Sequence, residues 1–155
     1  METQVLVVKE DLRSPIAQDL IESLNTELVR RYPEPGANHF ELETDEVHDG
    51  HGAFLVAYVD SGPAGCGALR TIDAGVGEIK RMYVRPAERG RGVGRALLTA
   101  IEMEARSLGL RRLVLETGIR QPEAIALYRR AGFAPIDAFG EYVDSPLSVC
   151  LAKDL

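Results

Sequence analysis

The chain has 155 residues, 45% of them apolar, and a net charge of −6, which suits one globular domain able to bury its core without staples. An acidic balance argues against nucleic acid as a partner, and no stretch approaches the ~18 consecutive apolar residues of a membrane helix. The opening METQVLVVKEDLRS has too short an apolar run and too acidic a flank for a secretory signal, so a cytoplasmic protein is expected.

Gln4 to Lys9 is a β-branched apolar run and reads as a first strand. Ser14-Pro15 then supplies a cap and a proline at the first helical position, and Ile16, Leu20, Leu24 and Leu28 form one apolar stripe until Tyr32-Pro33 stops the helix. Pro33 to Gly52 is a long polar connection of the size used for binding loops. From Tyr32 through Leu69 there are seven acids and no Lys or Arg; this is either a solvated acidic surface or an attractor for a cationic partner such as an amine.

Ala53–Val59 and Ala64–Arg70 form a predicted hairpin across Asp60-Ser61-Gly62-Pro63, and Val76–Val84 follows as a third strand of an antiparallel meander. A helix from Gly92 to Leu108 turns Val93, Ala96, Leu97, Ala100, Ile101 and Leu108 inward and ends at Gly109. Arg112–Thr117 is a strand, Gln121–Ala131 a helix stopped by Gly132, Phe133–Ile136 a strand, and Ser148–Ala152 closes the sheet. An antiparallel start with a crossover-linked end predicts a single mixed domain of α/β or α+β class. Cys66 and Cys150 show neither CxxC nor Cys/His spacing and read as buried thiols.

The most informative stretch runs from Glu78 to Leu98, where a strand enters the turn Arg89-Gly90-Arg91-Gly92-Val93-Gly94 and then a helix. Glycines let the chain approach a ligand closely, and the first helical amides lack intrahelical acceptors, so a phosphate is the expected guest. Between Lys80 and Arg95 lie six bases (Lys80, Arg81, Arg85, Arg89, Arg91, Arg95) and one acid, Glu88, a local charge of +5. The other 12 bases and 23 acids leave the rest at about −11, which points to a local anion site. A dinucleotide fingerprint fails because its third glycine falls on Arg95, and a P-loop fails for want of Gly-Lys-Ser/Thr.

Arg89, Gly92 and Gly94 in the spacing Arg-x-x-Gly-x-Gly, preceded by Met82-Tyr83-Val84-Arg85-Pro86, resemble the acyl-CoA pyrophosphate loop of the GNAT superfamily of N-acyltransferases. Gln121 to Phe133 is similar to that family's Asn-x-x-Ala-x-x-Leu-Tyr-x-x-x-Gly-Phe, with Gln121 where the family usually has Asn. The resemblance implies a single domain built on a central mixed, mostly antiparallel sheet with a splayed strand pair, flanked by helices. It implies acetyl-CoA as co-substrate and direct transfer, in a ternary complex, to a primary amine of a small molecule or peptide. The pyrophosphate would lie on Arg89, Gly90, Arg91, Gly92, Val93, Gly94 and Arg95. Met82, Tyr83 and Val84 would pair with pantetheine through backbone groups, one N–H holding the thioester oxygen, and Gln121 would contact the pantetheine arm.

Tyr128 occupies the position of the family's usual general acid, and a phenol of pKa about 10 is suitably protonated to meet a departing thiolate; otherwise it packs on the core with a bonded hydroxyl. Glu78 begins the site strand and is a candidate base, with Glu116 its competitor; either can instead pair with an arginine, and a fixed base is not obligatory. Glu141 and Tyr142 either touch the acceptor or cover the sheet edge. His48 and His51 are three apart, but Asp49-Gly50 and Gly52 predict a turn, so these and His39 read as loop histidines and no metal is expected. A non-catalytic acyl-CoA sensor or partner-binding domain of the same fold is the rival reading. The acceptor's identity and the acyl length stay open; dimers are common in families of this kind.

Overall fold

The computed structural model describes residues 4–34, 47 and 50–155. In chain order the elements are β1 (Val5–Lys9), α1 (Pro15–Arg31), β2 (Gly52–Val59), β3 (Gly62–Asp73), β4 (Val76–Val84), α2 (Val93–Ser107), β5 (Arg112–Gly118), α3 (Pro122–Arg130), β6 (Ala134–Pro135) and β7 (Ser148–Asp154). They form one seven-stranded sheet in the order β1-β2-β3-β4-β5-β7-β6. Among the described residues only β4 and β5 run parallel, and every other pairing is antiparallel. The expected connection Pro33–Gly52, with its acids and with His39 and His48, lies largely outside the described residues.

Helix α1 starts as its sequence demands, with the Ser14 hydroxyl accepting from the Ala17 amide and Pro15 in the first turn. Its buried stripe differs from the expected one. Ala17, Leu20 and Leu24 are the buried residues, Leu28 is half-buried, and Ile16 stands exposed. A strict i, i+4 row drifts around a 3.6-residue helix, so the contact line follows alternating steps of three and four. Asp60 and Ser61 both have positive φ, at 51° and 68°, forming a two-residue turn with the sign that suits strand twist. Gly62 and Pro63, expected in the turn, thereby join β3. The strand expected over Phe133–Ile136 shrinks to Ala134–Pro135.

Strand β2 is buried nearly throughout because both sheet faces are covered. Ala53, Leu55, Ala57 and Val59 pack with Val93, Leu97, Leu98 and Ile101 of α2. The alternate residues Phe54 and Val56 pack with Ala17, Leu20 and Leu24 of α1. Each fully buried Leu or Ile contributes about 1.5–3 kcal/mol of transfer free energy, so α1 and α2 are clamped to opposite faces. Tyr128 and Phe133 belong to the α2 side, and their rings meet edge to face at 5.9 Å.

The feature that creates a site is where the sheet comes apart. β4 and β5 pair only from Val76↔Arg112 to Ile79↔Leu115, although β4 continues to Val84 and β5 to Gly118. Just beyond the split the β3–β4 register shifts between Cys66 and Ala68, and Arg81 takes φ 56°, a bulge that bends β4 away. A clasp from α1 crosses the fork: the Tyr32 hydroxyl accepts from the Arg120 amide at 2.9 Å, and Arg31 and Arg120 each donate to the other's carbonyl at 3.1 and 2.8 Å. The Tyr32 hydroxyl lies where a Cβ on Gly118 would sit. Gly118→Ala is therefore expected to lower stability by about 1–3 kcal/mol in urea unfolding, with the α1 clasp displaced.

Candidate acyl-transfer site

Two cavities open on the fork. One, of about 630 Å³, runs along the outer half of β4 and the start of α2; the other, of about 790 Å³, lies between β4, β5, α1 and the 141–148 loop. Both are of ligand-binding size. Leu24, Met82, Gln121, Ala124 and Tyr128 line both, so the cavities meet at that point.

The first cavity holds most of the residues singled out for the anion. Met82, Tyr83, Val84, Arg89, Gly90, Gly92, Val93, Gly94 and Arg95 line it. Gly92 caps α2 with φ 83°, and Gly90 has φ 81°; a Cβ at either would meet nothing within 4 Å. These two positions thus need glycine for their left-handed backbone, which an L side chain occupies at a cost of about 1–2 kcal/mol. Ala96 is the first residue whose amide bonds back to the helix start, at 3.0 Å to the Gly92 carbonyl, and the amides before it form the donor cradle of a helix N-terminus. Gly94 also leaves room for packing: a Cβ there would fall 2.8 Å from a Leu127 methyl, which would have to shift.

The basic stretch read as one patch divides. Lys80 and Arg81 line the second cavity. Arg85 is paired with Asp19 at 2.8 Å. Arg91 is paired with Glu88 at 3.0 Å and does not line the first cavity. Arg89 and Arg95 line it, Arg89 being steadied by the Val84 carbonyl at 2.9 Å, by Glu27 at 2.7 Å and by the Tyr83 ring beneath its guanidinium.

Tyr128 is buried, and burial, then the Glu116 carboxylate, pushes its phenol well above the ordinary value of 10. If the residue served packing alone, its hydroxyl would be bonded for burial. Among the described residues no hydrogen-bond partner is assigned to it, and it faces both cavities. Gln121 points its amide at the Thr117 hydroxyl over 3.4 Å while lining both cavities.

The two candidate bases have different surroundings. Glu78 lines neither cavity: Oε1 takes Arg70 Nε and Nη2 at 2.8 and 2.7 Å, and Oε2 accepts the Tyr142 hydroxyl at 2.7 Å. A carboxylate so neutralised is a poor proton acceptor for a substrate. Glu116 lines the second cavity, and burial raises its carboxyl from the ordinary 4.5, the Ser148 hydroxyl lowers it, and Glu78 and Glu141 raise it against Lys80. Tyrosines aside, the buried charged or polar side chains among the described residues are Glu78, Lys80 and Thr117, and all three flank the fork. Lys80 and Thr117 are functional-site candidates that the strand pattern concealed; a charged residue inside an apolar strand was the available signal.

The comparisons agree with this geometry. Residues 17–133 match the Acetyltransferase (GNAT) family. A protein of Azospirillum brasilense named IAA acetyltransferase is 41% identical over 152 residues, which are 97% of this chain and 98% of that one. A crystal structure from Klebsiella pneumoniae, provisionally described as an acyl-CoA N-acyltransferase, superposes with TM-score 0.82 at 32% identity and 98% coverage of both chains. A GNAT acetyltransferase from Elizabethkingia anophelis with acetyl-CoA bound shares the fold, with TM-score 0.69 at 20% identity over 97% of this chain and 98% of that one. With a mixed sheet split at its parallel pair and a glycine-rich helix start beside the split, the chain belongs to the GNAT family of acetyltransferases.

Proposed function

We propose that the protein transfers an acetyl group from acetyl-CoA directly to a primary amine, both substrates being bound at once. The observation that carries this reading is the junction: two cavities of ligand size share Tyr128 and its neighbours and reach the fork from opposite directions. The residues fit an acyl-CoA in the first cavity, where left-handed Gly90 and Gly92 and the α2 amides make a cradle for a diphosphate. Acetyl-CoA supplies an activated acetyl thioester.

Around that thioester the chain's groups divide the work. Arg89, Arg95 and the helix amides hold the anionic end, and the edge of β4 at Met82 to Val84, unpaired by β5, offers backbone donors and acceptors to the pantetheine arm. A backbone N–H there is already oriented toward developing negative charge and reorganises little. Tyr128, neutral and held proton-rich by burial and by Glu116, donates its hydroxyl proton to the departing sulfur. Glu116, rather than the Arg70-bound Glu78, removes a proton from the incoming ammonium, its raised carboxyl bringing it nearer the pKa of an effective base. Glu116 thus ends the transfer protonated and Tyr128 deprotonated; Tyr128 regains its proton from the nitrogen, which sheds a second one as the C–S bond breaks and the amide forms, and Glu116 releases its proton to solvent.

Purified protein mixed with acetyl-CoA and an amine panel is expected to release free thiol only when an amine is present; binding of acetyl-CoA without turnover on any amine would favour a non-catalytic sensor. Tyr128→Phe is expected to lower kcat by about a hundredfold or more while leaving the calorimetric Kd for CoA unchanged. Glu116→Gln is expected to remove the acidic limb of the kcat/KM profile and also to stabilise the fold. The folded-state carboxyl sits above its ordinary 4.5, so the stability it contributes is present below that value and is lost as pH rises through the folded pKa. The urea midpoint of Glu116→Gln should accordingly exceed that of the wild type at about pH 8 and match it at about pH 4.

A further inference from the structure

We propose that Ser148 is a positioning residue of the acetyl transfer, holding Oε2 of Glu116, with Ser145 behind it, so that Oε1 is presented to the amine; this rests on the acetyl-transfer reading above. The Ser148 hydroxyl donates to Glu116 Oε2 at 2.5 Å and lies 2.7 Å from the Ser145 hydroxyl. A serine hydroxyl carries one proton. With that proton directed at Oε2, Ser145 is the donor in the second bond, and the two hydroxyls form a short chain aimed at the carboxylate.

Sheet register sets this arrangement. In the β5–β7 ladder Glu116 stands opposite Cys150 and Gly118 opposite Ser148. Side chains two apart on a strand share a face, so Glu116 and Ser148 are diagonal neighbours. The chain before β7 brings Ser145 back to them: the Ser145 amide donates to the Tyr142 carbonyl at 3.0 Å and the Ser148 amide to the Ser145 carbonyl at 3.3 Å. The Ile119 amide, donating to the Leu147 carbonyl at 3.0 Å, ties the same turn to the end of β5. Both hydroxyls are therefore fixed to the frame that carries Glu116. Both serines are half-buried and line the second cavity, as Glu116 does, and a hydroxyl so placed can be satisfied by water. Among the described residues no hydrogen bond is assigned to Glu116 Oε1, whereas Glu78 has both oxygens taken. A carboxylate fixed through one oxygen keeps the other in a set direction, which is what proton transfer from a bound amine requires.

Charges from several elements act on Glu116. Burial pushes its carboxyl up and Ser148 draws it down; Glu78 of β4 and Glu141 of the 141–148 loop push it up, and Lys80 of β4 draws it down. Tyr32 of α1, Tyr128 of α3, Tyr142 of the loop and Cys150 of β7 feel its charge, and burial raises each of them, so they stay neutral across the acidic range. Loss of the Ser148 hydroxyl removes a bond to the charged form, so the Glu116 carboxyl moves further up.

The test uses the full chain and two readouts: the acidic limb of kcat/KM for the amine that releases most thiol, and carbon NMR titration of the Glu116 carboxyl in the protein without substrates, identified by its loss in Glu116→Gln. Ser148→Ala is expected to move both to higher pH by about one pH unit and to lower kcat/KM on the plateau by about tenfold. Ser148→Thr keeps the hydroxyl and is expected to restore both readouts. Ser145→Ala is expected to move both in the same direction by less. Calorimetric CoA binding, in the other cavity, is expected to be unchanged and reports that each variant folds. A Ser148→Ala variant whose limb and titration stay in place would overturn the proposal even if its turnover fell, as would Ser148→Thr matching Ser148→Ala. Should Ser148→Ala not bind CoA, Ser145→Ala decides, and an unmoved titration there would overturn it. Undiminished turnover of Glu116→Gln, or failure of every amine to release thiol, would instead refute the reading above and this inference with it; the NMR titration, which needs no turnover, tells these outcomes from a failure of Ser148 alone.

Discussion

The described part of the molecule is organised around the partial pairing of the parallel strands β4 and β5. β4 and β5 share a ladder from Val76↔Arg112 to Ile79↔Leu115 and then separate, and a strand leaving its partner exposes backbone donors and acceptors that must be satisfied by something else. The bulge at Arg81 and the chain reversal into the Gly90–Gly92 turn keep the arms apart. Between them the interior of an otherwise apolar sheet admits Glu78, Lys80 and Thr117. A polar opening inside a two-faced sheet is where a substrate's own amides and carbonyls can complete the hydrogen bonding.

Helix α1 roofs that opening. Its inner residues Ala17, Leu20 and Leu24 pack on the sheet, while its other faces tie to both arms. Asp19 holds Arg85, Asn25 holds Arg81 and Glu27 holds Arg89 on the β4 side. On the β5 side Tyr32 and Arg31 grip Arg120. Leu24 consequently lies at the junction of the two cavities, so one helix roofs both. Exposed ion pairs of this kind add little stability singly; their role here is to define where the helix lies.

The carboxylates of the site show how surroundings divide identical side chains. Glu78 is buried, but Arg70 and Tyr142 satisfy both oxygens and make it part of the scaffold that positions Tyr142. Glu116 is half-buried beside a serine hydroxyl and neighbouring acids, and desolvation favours its protonated form. Glu27 anchors Arg89 of the first cavity, and Glu141 sits half-exposed beside Lys80. Separating the proton affinities of nearby acids is how a site assigns base and bystander roles.

Much of this was legible in the chain itself. Hydrophobic periodicity identified the elements, and Ser14-Pro15, Gly109 and Gly132 marked helix ends, because caps and turns are governed by contacts a few residues apart. The Arg89 to Gly94 turn and the position of Tyr128 also belong to local patterns. What local pattern could not contain was the company each charge keeps. Lys80 and Arg81 read as part of one basic patch with Arg89 to Arg95, yet Lys80 by strand alternation and Arg81 at the bulge line the second cavity. Glu78 read either as a candidate base or as an arginine's partner, and the β3–β4 ladder sets Arg70 opposite it while the chain returns, 64 residues later, with Tyr142. Ile16 read as core until helix geometry gave its place to Ala17. Periodicity and capping are encoded within a turn or two of helix, whereas burial, proton affinity and ion pairing depend on groups that only the packed sheet and its covering helices bring together.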